Sequence, residues 1–127
     1  MKRRKIAVVV VEPNKNARVL SIGSDLKSMQ KTVGGNIQAI YPFEDPVAIV
    51  CNEAGKLEGL PFNRVLTYEG CDTYDMLFGT FFIVGCSYDD FTSLSKEQAE
   101  KYKQKFLFPE KMTIVDERPV VVRFANF

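Results

Sequence analysis

The run Ile6-Ala7-Val8-Val9-Val10-Val11 constrains the fold of this chain more than any other feature of it. Branching at Cβ favours extended backbone. Six apolar residues without alternation leave neither face of that strand fit for water. The run therefore reads as a strand covered on both faces and central in a sheet. Pro13-Asn14-Lys15-Asn16 is turn chemistry, and residues 18–22 alternate polar and apolar, as expected of a strand that pairs back as a hairpin.

Further along, Ser24 stands where a first helix would be capped, and Leu26, Met29 and Val33 recur at the spacing of a buried helical stripe. Gly34-Gly35 ends that helix, because glycine accepts the left-handed conformation at a C-terminus. Residues 37–41 and 47–51 read as strands around the turn Pro42-Phe43-Glu44-Asp45-Pro46. Asn52-Glu53-Ala54-Gly55-Lys56 reads as a tight hairpin, with positive φ at Gly55, and Leu57 as the start of a short return strand. Residues 62–75 read as irregular, Thr80-Phe81-Phe82-Ile83-Val84 as a strong strand, and residues 88–93 as a loop. Ser95 and Gln98 have the spacing of a capping box for a second helix, with Leu94 and Ala99 placed as its hydrophobic staple. Residues 120–124 form a last strand, which should join the sheet. Strands joined by tight turns must run antiparallel. The fold class is α+β: a mostly antiparallel sheet of about six strands with two helices on one face.

The 127 residues fit one domain. Seventeen Lys and Arg against 16 Asp and Glu give a net charge of +1, which argues against electrostatic capture of nucleic acid. The basic run Lys2-Arg3-Arg4-Lys5 is the local exception; it could touch phosphates, and its plainer reading is a solvated lead-in to a strand. No apolar stretch approaches the length of a membrane span, and residues 6–11 are too short for the core of a secretion signal. Cys51, Cys71 and Cys86 lack metal-ligand spacing and read as reduced, buried thiols of a cytoplasmic protein. The chain contains no histidine. That removes Ser-His-Asp and Cys-His catalysis and the commonest transition-metal ligand. No cofactor fingerprint is present: Gly34-Gly35 and Gly55-x-x-x-Gly59 make neither a phosphate loop nor a dinucleotide turn. The carboxylate pairs Glu44-Asp45, Asp72 with Asp75, and Asp89-Asp90 match no metal loop and read as solvated or capping groups.

Tyr41-Pro42-Phe43-Glu44-Asp45-Pro46-Val47 leads into Cys51-Asn52-Glu53-Ala54-Gly55-Lys56 and Gly59-Leu60-Pro61-Phe62-Asn63-Arg64. Gly79-Thr80-Phe81-Phe82-Ile83-Val84-Gly85 and Phe91-Thr92-Ser93-Leu94 follow. Together these resemble the domain-of-unknown-function family 3846, small proteins of phages, prophages and conjugative elements. On that resemblance residues 1–5 are a basic lead-in, 6–108 a family-like core and 109–127 a C-terminal strand extension. The family brings no catalytic residues. It implies a binding role in a bacterial host, such as sequestering a host immune signalling nucleotide or docking on a host protein.

The residues that could serve such a binder are Asn52, Lys56, Asn63, Arg64, Phe82, Arg118 and Arg123. Arg64 could grip a phosphate through two parallel hydrogen bonds, with Lys56 adding point charge. Asn52 and Asn63 could read a base or ribose edge, although asparagine between glycine and proline turns also bonds its own backbone. Phe81 and Phe82 point to opposite faces of one strand, so one enters the core and the other, taken here as Phe82, could stack on a ring. Arg118 and Arg123 are five apart and fall on opposite faces of a regular strand, so a pocket using both would need a second copy of the chain. The sequence expectation is a non-enzymatic, homo-oligomeric binder of a small anionic ligand. The alternative is a protein-binding inhibitor or adaptor, which needs an exposed apolar patch.

Overall fold

The computed structural model describes residues 4–72 and 74–124; Lys2 and Arg3 of the basic run lie outside them. Ten strands and two helices follow in the order β1 (Lys5–Val11), β2 (Arg18–Gly23), α1 (Leu26–Val33), β3 (Ile37–Ile40), β4 (Val47–Asn52), β5 (Phe62–Thr67), β6 (Tyr74–Phe78), β7 (Phe81–Ser87), β8 (Asp90–Thr92), α2 (Lys96–Lys105), β9 (Glu110–Val115) and β10 (Arg118–Arg123). The main sheet has six strands in the order β2-β1-β7-β4-β3, with β8 alongside the far end of β7. Every pairing is antiparallel. The architecture is the α+β, antiparallel one that the sequence predicts, and the valine run of β1 lies inside the sheet between β2 and β7.

The helices do not share a face. Along β1, Ile6, Val8 and Val10 point to the layer formed with Ala48, Val50, Phe82 and Val84 under Met29 and Val33 of α1. Val9 and Val11 point the other way, to Val47, Ile49, Phe81 and Ile83 under Tyr102 of α2 and the adjoining Phe106. The expectation of two helices on one face is therefore corrected. A doubly apolar strand needs a cover on each side, and each fully buried Val, Ile or Phe in it contributes about 1.5–3 kcal/mol relative to exposure. On the α2 side the β5–β6 hairpin completes the cover with Leu66 and Leu77.

Several local features depart from expectation. The N-cap of α1 is Asp25, which accepts from the Ser28 amide, not Ser24, and Leu26 is exposed because it opens the helix on its outer side. Gly34 ends that helix at φ 79°, as predicted. Both halves of the capping box on α2, Ser95 and Gln98, are formed. Residues 53–59 form consecutive turns rather than a hairpin. Gly55 lacks positive φ; a Cβ on it would stand 2.7 Å from the Phe78 carbonyl oxygen, so close backbone approach is what it provides. The stretch expected to be irregular holds β5 and β6, and residues 90–92 add the short strand β8. Cys51 is buried, but Cys71 is exposed and Cys86 half-buried, and all three are free thiols.

The last strand does not join the main sheet. β10 pairs only with β9, through Asp116 and Glu117 at φ 51° and 65°, the two left-handed positions of a tight two-residue hairpin turn. This hairpin is anchored where Glu110 accepts from the Val65 amide at 2.9 Å, and its base is closed where the Phe124 amide donates to the Pro109 carbonyl at 2.9 Å.

Candidate binding surfaces

Arg64 and Asn63 serve the fold from within. Both are wholly buried. The Arg64 guanidinium has five N–H donors, and it makes five hydrogen bonds. Nε and Nη2 reach the Phe106 carbonyl at 3.3 and 3.0 Å, and Nη2 also reaches the Lys15 carbonyl at 2.7 Å. Nη1 bonds the carbonyl and the side-chain oxygen of Asn63 at 3.3 and 2.7 Å. The Asn63 amide donates to the carbonyls of Val11 and Gly79 at 2.9 and 2.8 Å. Burial lowers the Arg64 pKa to about 10, against the pull of the Glu110 carboxylate and with a smaller push from Arg123. The group thus stays cationic at neutral pH. It meets the carbonyl left open at the C-terminus of α2, where the helix dipole favours positive charge. A phosphate-gripping Arg64 and a base-reading Asn63 are corrected accordingly, since neither has a free donor facing solvent.

Phe82 is likewise corrected. Both it and Phe81 are wholly buried, one beneath each helix, so neither offers an open stacking platform. Asn52 is buried too; its amide donates to the Val33 carbonyl at 3.4 Å and its oxygen accepts from the Ala54 amide at 2.8 Å. It closes the end of α1 and shapes the turn that follows β4.

Lys56 is exposed on that turn. Its Nζ lies 2.8 Å from Asp75 Oδ1 and 5.9 Å from the centre of the Phe78 ring. Between this turn and β6 opens a cleft of about 390 Å³, walled by Ile40, Cys51, Tyr68 and Phe78. Asn52 and Lys56 are the two sequence candidates that line it together. Glu53 and Asp75 line it as well, so its carboxylates outnumber its single Lys. Burial, with the Asp75 charge second, pushes the Cys51 thiol pKa up and keeps it protonated at neutral pH. Arg118 and Arg123 stand at opposite ends of β10, and neither lines this cleft. Arg123 pairs with Glu110 at 3.3 Å, while Arg118 faces solvent. Among the described residues no group of three or more Cys, Asp or Glu is placed to hold a metal ion.

The β9–β10 hairpin presents a surface that the sequence reading missed. Strand alternation and register put Lys111, Thr113 and Val115 of β9 on one face with Val122, Val120 and Arg118 of β10. All six are exposed. The opposite face carries Glu110, Met112 and Val121, which are buried or half-buried, and Ile114, Pro119 and Arg123, which are exposed. Val115, Val120 and Val122 expose 49%, 39% and 47% of their surface, and Ile114 at the tip exposes 63%. Three valines flanked by two cations, with no carboxylate among them, make an amphipathic outer face. A signal for it was present: 111–115 alternates, and Asp116-Glu117 separates it from the valines of β10.

The fold defines a class, a two-sided antiparallel sheet with a helix on each face and two accessory hairpins. The chain matches the family described as Domain of unknown function (DUF3846) over residues 4–107, and it belongs to that family. The match ends before β9, so the outer hairpin lies beyond the shared part. No curated protein and no solved structure matches the chain. No helix is long and apolar enough to cross a membrane.

Proposed function

We propose that this chain is a non-enzymatic binding protein that docks on another protein through the outer face of its β9–β10 hairpin. The observation that carries this reading is the apolar strip of Val115, Val120 and Val122 on a face exposed along its whole length. Large apolar side chains gathered outside a complete core mark interaction surfaces more often than scattered single ones do. The cations Lys111 and Arg118 bracket the strip, so the complementary partner is apolar at its centre and acidic at its rim. A second copy joined edge to edge is disfavoured. Pro119 removes a ladder donor from β10, and fully overlapped antiparallel β10 strands would set Arg118 opposite Arg123 of the other copy.

The absence of histidine supports a binder over an enzyme, because it leaves no side chain whose ordinary pKa lies near neutrality. Sequestration of a small anionic ligand draws less support. Of the cationic candidates, Arg64 is consumed in the interior and Lys56 shares its cleft with Glu53 and Asp75. The reading is tested by affinity capture with the intact chain, a V120D/V122D variant and a K111E/R118E variant. One partner should be retained by the wild type, lost by the first variant and weakened by the second, with salt weakening the wild-type complex. An identical set of captured proteins for all three chains would refute it.

A further inference from the structure

A cavity of about 410 Å³ lies beside the β7–β8 turn and is lined by Tyr41, Cys86, Tyr88, Asp89, Asp90 and Phe91. Its floor belongs to the α1 face of the sheet: Cys86 and Phe91 are paired across β7 and β8 and pack on that layer. Tyr41 follows β3 directly, and Tyr88 and Asp89 form the turn between β7 and β8. The lining has three aromatic rings and two carboxylates, and no Lys or Arg.

Half of these groups, Tyr41, Tyr88 and Asp89, are not used by the fold among the described residues. Asp90 accepts from the Phe91 amide at 2.9 Å and pairs with Arg4 at 3.6 Å, whose Nη2 also donates to the Phe91 carbonyl at 3.1 Å. Tyr41, Tyr88 and Asp89 make no hydrogen bond, ion pair or ring contact among the described residues. Tyr41 exposes 64% of its surface and Tyr88 is fully exposed. Two exposed tyrosines and an exposed carboxylate, none of them paired among the described residues, thus line one concave space.

We infer that this cavity binds an organic cation, an ammonium or guanidinium head, with Tyr41 and Tyr88 as aromatic walls and Asp89 as the counter-charge. The face of an aromatic ring carries negative potential, and a cation within about 6 Å of its centre gains about 0.5–1 kcal/mol at an exposed site. A carboxylate beside the rings adds Coulomb attraction and repels anions. An apolar head without charge gains neither, which separates this chemistry from a greasy pocket. The site differs from the hairpin face in position and in sign of charge, so it stands whether or not the hairpin docks a partner.

The test titrates the intact protein with choline, with methylguanidinium, and with the neutral isostere of choline in which carbon replaces nitrogen. Ring signals of Tyr41 and Tyr88 are followed by NMR. Saturable shifts are expected with at least one cation, with the neutral isostere binding far more weakly. Y41A and Y88A should each weaken binding about two- to fivefold, and D89N should weaken it and flatten its salt dependence. All three positions are exposed, and the undisturbed signals of the valine core report that each variant remains folded. Equal binding of the neutral isostere, no saturable shift with either cation, or full affinity in Y41A, Y88A and D89N together would overturn the assignment.

Discussion

At the scale of single residues, the polar groups that look most functional in the sequence are those that hold the fold shut. Arg64 ties β5 to the end of α2 and to the turn after β1 through carbonyls of Phe106 and Lys15, 42 and 49 positions away. Main-chain carbonyls have no residue-type signature, so nothing in the sequence marks an arginine destined for them. Removing the cation strands buried oxygens of Phe106, Lys15 and Asn63, at about 1–3 kcal/mol for each left unsatisfied. Arg64→Met should therefore lower the denaturant midpoint by that equivalent, and Arg64→Lys should also destabilise, because three ammonium donors cannot span what five guanidinium donors reach. An unchanged midpoint in both variants would remove Arg64 from this role. A second network is sensitive to acid. Asp45 accepts from Lys101 Nζ at 2.8 Å and from the Tyr102 hydroxyl at 2.7 Å. These bonds, Lys101 first, hold its carboxyl below the ordinary value of 3.8. A depressed acid stabilises the folded state above its unfolded pKa and loses that stabilisation as pH falls through the folded one. The stability difference between wild type and D45N should accordingly be constant near neutral pH and shrink below pH 3.8, as read by melting curves across that range.

At the scale of elements, legibility followed how local the determinants are. The capping box of α2 and the glycine end of α1 depend on neighbours a few positions apart, and both are where the sequence puts them. The strands β5 and β6 were hidden because Asn63 and Arg64 interrupt the apolar alternation with buried polar groups, whose partners lie elsewhere in the chain. The placement of both helices on one face failed for a reason already present in β1. A strand apolar at consecutive positions requires a cover on each side, and that requirement outranks the tendency to group helices. Gly55 shows the same limit: its sequence context suggests a turn glycine, whereas its use is contact with the backbone of β6. Gly55→Ala would place Cβ 2.7 Å from the Phe78 carbonyl oxygen. Backbone must then move, and overpacking of this kind costs about 1–3 kcal/mol. The expected loss in a urea titration should come with shifted amide signals along 75–78; a silent substitution would mean that the turn yields freely.

At the scale of the whole molecule, the main sheet and its two covers lie within the part shared with the family, and the outer hairpin lies after it. The two parts differ physically. The shared part buries its apolar residues on both faces of β1, β4 and β7, while the hairpin leaves Val115, Val120 and Val122 in water. An element that contributes mainly exposed side chains adds little to folding. The hairpin's ties to the body are the Glu110 bond to Val65 and the packing of β9 along β5, with partial cover from Met112 and Val121; the Arg123–Glu110 pair joins its own two strands. A chain ending after Glu110 keeps the first of these. It loses a pair worth about 0.2–1 kcal/mol and a modest apolar area. This shortened chain should melt as one cooperative unit, destabilised by no more than about 2 kcal/mol, with the amide signals of β1, β4 and β7 in place. It should also lose whatever partner the valine face retains. Collapse of the sheet on truncation would instead make the hairpin a third cover of the core, and the exposed valines would then need a structural reason.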